Sequence, residues 1–140
     1  FLEKIALPYI EANELKNVSE AKSLIRTLGK QKPLNPLEFS PDLYKMASDY
    51  AQEMGSKGFT GHRNVTTRFK KNEVKYAYTG ENCSYGYNSP LDIIMQLLID
   101  KGVPDLGHRK NILSKDFTKI GISIQPHKRN EWTCVMDFGG

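Results

Sequence analysis

The sequence predicts an α+β fold, a sandwich of helical and sheet layers, on three observations. Residues 40–55 and 89–102 carry apolar residues at helical spacing, each behind a Ser-Pro start signal. After residue 119 the apolar period changes to two. Finally, 140 residues with no repeat, low-complexity tract or linker suit a single domain, 1–140, with one core.

Taken in order, "FLEKIALPYIEANELKN" has helix-forming composition interrupted by Pro8, where a helix is expected to start or kink. "SEAKSLIRTLG" follows as a helix with Ser19 as its N-cap and Gly29 just past its end. "KQKPLNPLEF" is a proline-punctuated connection. The clearest helix is "SPDLYKMASDYAQEMG". Ser40 is its expected cap, Pro41 lies in the first turn and Gly55 closes it. Leu43, Met46, Ala47, Tyr50, Ala51 and Met54 form its core face.

"SPLDIIMQLLIDKG" repeats the design, with Ser89 as cap, Pro90 behind it, Asp92 near the end of the first turn and Gly102 at the exit. It is apolar on most sides and is expected to be buried. Asp100 falls in its last turn, where the helix dipole disfavours an anion, so a cation partner is expected nearby. In "KIGISIQ", Ile120, Ile122 and Ile124 share one face. In "WTCVMDF", Trp132, Cys134, Met136 and Phe138 alternate with Thr133, Val135 and Asp137. The polar "PHKRNE" between them predicts an antiparallel hairpin.

Composition excludes several classes. Hydrophobic residues at 39% and charged residues at 26% fit a soluble globular chain rather than a disordered one. The longest apolar stretch, "LDIIMQLLI", is far short of the roughly 20 residues that span a bilayer. The formal charge of +4 gathers in "HRK", "HKR" and "RFKKNEVK", but no helix carries a one-sided basic stripe. No nucleic-acid partner is therefore expected. The start at Phe1 is read as a processed precursor or trimmed chain, with any signal peptide or lipid anchor upstream. Cys83 and Cys134 fit either one disulfide or two buried thiols, and neither sits in a C-x-x-C pattern.

Only three histidines are present. His62 follows the clearest helix in "FTGH", His108 lies in a "GHRKNIL" turn, and His127 lies in a polar turn read as plain surface. Glu81 and Asn82 stand in "TGENCSYG", read as a turn in which Asn82 bonds its own backbone. The order "LNPLEFSPDLYKMASDYAQEMGSKGFTGH", "GENCSYG", "GHRKNIL", "KIGISI" and "CVMDFGG" resembles the CAP superfamily of cysteine-rich secretory, antigen 5 and pathogenesis-related proteins. The resemblance runs from about Leu34 to Gly140, leaving 1–33 less well covered, and is nearest the compact bacterial single-domain members.

That resemblance implies a three-layer α-β-α sandwich around a central antiparallel sheet. It also implies a cleft lined by His62, Glu81, Asp100 and His108, with Asp100 in place of the more usual glutamate. In several family members such residues hold a divalent metal, commonly zinc, so His62 and His108 are the expected ligands. Glu81 is the expected base if the chain is a hydrolase. Two imidazoles leave zinc positions for water, and carboxylates behind them fix their tautomers. Arg63, beside His62, is placed either to repel a dication or to recognise an anion.

The resemblance further implies export, with the protein secreted or held at the surface; a monomer is expected. A non-catalytic module binding a ligand, lipid or host protein ranks first. A metal-dependent hydrolase ranks second, and an inert structural or adhesive protein third. No catalytic residue is assigned from the sequence, which has no H-E-x-x-H or G-x-S-x-G motif.

Overall fold

The computed structural model describes residues 1–72 and 75–140; the run "RFKKNEVK" extends into Glu73 and Val74, which lie outside the described residues. A wide π-type turn, Leu2–Ala6, leads into α1 (Leu7–Ala12), with Pro8 at the helix start, and α2 (Ser19–Lys30) follows. Then come β1 (Glu38–Phe39), α3 (Pro41–Lys57), α4 (Val65–Lys71), β2 (Thr79–Tyr85), α5 (Pro90–Ile99), α6 (Gly107–Ile112), β3 (Lys119–His127) and β4 (Glu131–Gly139). No described helix is long and apolar enough to cross a membrane.

The sheet order is β1-β3-β4-β2. The predicted hairpin forms in register, Lys119 opposite Gly139 and His127 opposite Glu131, and β2 adds antiparallel to β4. Two residues of β1 pair with β3 in parallel, so the sheet is mixed at one edge rather than wholly antiparallel. Both faces are covered. Cys83 and Val135 pack with Ala47, Tyr50, Ala51 and Met54 of α3. On the opposite face Cys134, Met136 and Phe138 pack with Ile93 and Leu97 of α5. Helices α1 and α2 then cover the far side of α5 through Ile10, Leu24, Met95 and Leu98. This is the three-layer α-β-α sandwich.

The Ser-Pro signals act as read: Ser40 Oγ accepts from Leu43 N–H at 3.3 Å, and Ser89 Oγ accepts from Asp92 N–H at 3.5 Å. Other local expectations change. Val18, not Ser19, precedes α2, and Gly29 lies inside that helix, which runs on to Lys30. Gly58 at φ +76° ends α3, while Gly55 lies within it. A Cβ on Gly55 would lie 2.0 Å from the Pro126 carbonyl oxygen, and one on Gly121 would lie 2.1 Å from Tyr44 N. These glycines let α3 lie directly on β3. Consequently the buried face of β3 is Gly121, Ser123 and His127, and Ile122 on the isoleucine face stays 42% exposed.

Two segments read as turns are regular structure. "TGENCSY" is the outer strand β2, because pairing with β4 along its length outweighs the local turn preference of Gly and Asn. "GHRKNI" is the short helix α6. Cys83 and Cys134 are free, buried and on opposite faces of the sheet, which settles the cysteine question in favour of two thiols.

Candidate functional site

The edge strand β2 divides the site. Glu81 points to the α3 side with Cys83, while Asn82 and Ser84 point to the α5–α6 side, as strand alternation requires. His62, on the loop after α3, places Nδ1 2.9 Å from Glu81 Oε1. On the other side, His108 in the first turn of α6 places Nδ1 2.7 Å from Asp100 Oδ1. Asn82 joins the halves: its Nδ2 donates to the His108 carbonyl at 3.1 Å, and its Oδ1 accepts from Asn111 Nδ2 at 2.8 Å. The structure therefore places the four expected residues as two His–acid pairs flanking one strand. Asn82 bridges elements rather than bonding its own turn.

Asp100 explains its own awkward sequence position. It ends α5 at φ 59°, a left-handed conformation that Asp tolerates, and its carboxylate turns forward to α6. Oδ2 accepts from the His108 and Arg109 backbone N–H groups at 3.0 and 3.3 Å. An anion unsuited to one helix end thus caps the start of the next. The side chain paired with Asp100 is His108, not a lysine or arginine; buried Arg109 donates instead to the last carbonyls of α5, Leu98 at 2.7 Å and Ile99 at 3.1 Å. It also reaches Ser23 Oγ and the Glu20 carbonyl, tying α2 to this corner.

Arg68, Asp137 and Cys83 complete the Glu81 side. Arg68 of α4 holds both Glu81 oxygens, Nη1 to Oε2 at 2.6 Å and Nη2 to Oε1 at 2.9 Å. Its guanidinium lies 3.4 Å above the Tyr50 ring. Burial works to raise the Glu81 pKa, but the hydrogen bonds from Arg68 and then His62 outweigh it and hold the carboxylate down at about 2. Asp137 sits opposite Glu81 in the β2–β4 ladder and is fully buried. No donor among the described residues reaches its oxygens. Burial, and then the neighbouring Glu81, push Asp137 up to about 10, so it stays protonated and carries its own donor hydrogen.

Cys83 Sγ is 3.7 Å from His62 Nδ1, and burial followed by the Glu81 charge pushes its thiol well above the usual range. It is therefore not a thiolate nucleophile. The Arg63 guanidinium lies 3.9 Å above the Phe59 ring.

Sequence reasoning assigned Arg68, Asp137 and Cys83 no role in the site. The available signal for Asp137 was a lone acid in an otherwise apolar strand; Arg68 sat in a basic run with nothing to mark it. His127 is also corrected, being buried rather than surface. Its Nε2 donates to the Phe59 carbonyl at 2.8 Å while Nδ1 accepts from Arg129 and Asn130 N–H at 3.2 and 3.0 Å.

Among the described residues, the metal-ligand type atoms lying within 4.8 Å of one another belong to His62, Glu81 and Cys83. In that set both Glu81 oxygens are already held by Arg68 and His62, and His108 does not belong to it. The His62 and His108 imidazoles are oriented alike. In each, Nδ1 is bound to a carboxylate and Nε2 carries no bond to a described residue, the orientation that metal-ligating histidines show.

A family model described as CAP, the cysteine-rich secretory protein family, matches residues 14–138. The Bacillus subtilis (strain 168) protein YkwD is 31% identical over 94 residues, 64% of this chain and 35% of YkwD. This chain thus spans about a third of that relative's length. An outer surface protein from Borrelia burgdorferi superposes with a TM-score of 0.63 at 24% identity, covering 81% of each chain. An extracellular SCP-domain protein from Bacillus anthracis str. Ames gives 0.61 at 17% identity, over 85% of this chain and 38% of the other.

Proposed function

This chain belongs to the cysteine-rich secretory protein (CAP) family, and on that premise we propose that it is an extracytoplasmic ligand- or partner-binding module, not a hydrolase. The location draws on the extracellular and outer-surface proteins it resembles in fold.

The observation that carries the non-catalytic reading is the occupancy of Glu81. A general base needs a lone pair aimed at water and a pKa near the working pH. Glu81 has both oxygens engaged by Arg68 and His62 and is held at about 2. The residue best placed to be a base is spent on structure. Cys83, with its thiol held protonated, offers no alternative nucleophile.

The open groups are the Nε2 atoms of His62 and His108, and these would hold zinc or another divalent cation, with Glu81 and Asp100 fixing the imidazoles. Such a metal, when bound, supplies a Lewis acid that grips an anionic or carbonyl ligand. His62 contributes an accessible nitrogen, its side chain being 44% exposed, while Asn82 keeps the two halves in register. A lipid or a host protein is the proposed class of partner.

Calorimetric titration of metal-stripped protein with zinc tests the reading, beside a His62→Ala/His108→Ala double variant. One saturable site, lost in the variant, is expected. No binding by folded wild-type protein removes the metal from the proposal. Ester or peptide hydrolysis that disappears in Glu81→Gln overturns the non-catalytic assignment.

A further inference from the structure

A groove opens between the exit of α3 and the β3–β4 turn, lined by Lys57, Phe59, Thr60, Arg63, Arg129 and Asn130. Three of these six are cations and none is an acid. Lys57 has a partner in Glu53 at 3.3 Å. The guanidinium groups of Arg63 and Arg129, the Thr60 hydroxyl and the Asn130 amide have no hydrogen-bond or ion-pair partner among the described residues.

The backbone beneath them is tied down with unusual completeness. Tyr50 OH donates to the Gly61 carbonyl and accepts from Arg63 N–H at 2.8 Å. Gly61 N–H donates to Tyr85 OH at 2.9 Å, and Arg68 Nε donates to the Arg63 carbonyl at 2.9 Å. Buried His127 fastens the loop to the turn, taking Phe59 on one nitrogen and Arg129 and Asn130 on the other. The aliphatic stem of Arg129 lies against Gly58, where an added Cβ would meet Cγ at 3.3 Å, and Arg63 rests on Phe59. Side-chain donors are thus left open on a frame that is already rigid. Such a frame saves the ordering cost of binding.

We propose that this groove is an oxyanion site, built for a phosphate group by Arg63 and Arg129 with Thr60 and Asn130 as neutral donors. Two planar guanidiniums match phosphate oxygens in pairs, which one ammonium cannot do. The site is separate from the proposed metal position, since neither His62 nor His108 lines the groove. The phosphate has two possible sources, a free phosphate compound or a lipid headgroup, and both present the same chemistry.

The test uses the full chain and two probes, inorganic phosphate followed by NMR of the arginine Nε–H signals, and phosphatidylcholine vesicles with and without phosphatidic acid. Saturable shifts at Arg63 and Arg129 are expected, with affinity about tenfold or more weaker in Arg63→Gln and in Arg129→Gln. Binding only to phosphatidic acid vesicles, lost in both variants, identifies a headgroup and equally supports the site. An unchanged amide spectrum elsewhere certifies that the variants fold. If neither probe binds, or if binding survives both substitutions, the proposal is overturned.

Discussion

Glu81 and Asp137 face each other across the β2–β4 ladder, an ionised carboxylate opposite a protonated carboxyl in one buried site. Two like charges could not share that space, so their environments drive the two groups apart. Arg68 and His62 hold Glu81 ionised. Asp137, buried without a cation of its own, keeps its proton.

The sign of each pH effect follows. Asp137 rises from 3.8 to about 10, so the folded state keeps a proton that the unfolded chain releases above about pH 4. Its contribution to stability is full below that point and falls as pH rises towards 10. Asp137→Asn keeps a donor and removes this slope. Urea unfolding between pH 5 and 9 is expected to show a variant at least as stable as wild type at pH 8, with a flatter profile. Marked loss of stability at pH 8 would mean that Asp137 is ionised.

Glu81 acts in the opposite direction. Its fall from 4.5 to about 2 gives stability that is present above about pH 4.5 and is lost as pH drops through 2. Arg68→Ala strands the buried carboxylate and is expected to cost about 3–5 kcal/mol at pH 7. A second substitution, Glu81→Gln, should recover a large part of that loss. Additive single effects in a double-mutant cycle would rule out direct coupling.

Asp100→Asn separates geometry from charge at the other pair. Asn tolerates φ 59° and its side-chain oxygen can still accept from His108 and Arg109 N–H, so stability should change by about 1 kcal/mol or less. Its amide nitrogen would then face His108 Nδ1, moving the ring proton to Nε2. Long-range ¹⁵N NMR of His108 reads that change. An unaltered tautomer would show that Asp100 does not control the ring.

His127 has a fixed role that the same spectrum checks. Nδ1 accepts from two backbone N–H groups, so the proton must sit on Nε2. His127→Ala leaves the Phe59 carbonyl and two half-buried amides without their partner, and is expected to cost about 1 kcal/mol. Faster hydrogen exchange at Arg129 and Asn130 should accompany it; unchanged exchange would place the turn's rigidity elsewhere.

By itself the sequence determined what depends on neighbours along the chain. Ser40 and Ser89 cap helices because their hydroxyls meet amides three residues on. The hairpin of β3 and β4 follows from alternation around a short polar turn, and the ordered motifs from Leu34 onward identified the family. Tertiary structure decided everything that needed a partner distant in sequence. Gly55 reads locally as a helix stop, but it is the thin point where α3 crosses Pro126. "TGENCSY" reads locally as a turn, but β4 makes it a strand and thereby sends Glu81 and Asn82 to opposite faces. Arg68 and Asp137, 13 and 56 positions from Glu81, set its charge state only because the ladder and α4 bring them to it. Spacing encodes hydrogen bonds of short range, whereas burial and paired charge depend on which surfaces meet after folding.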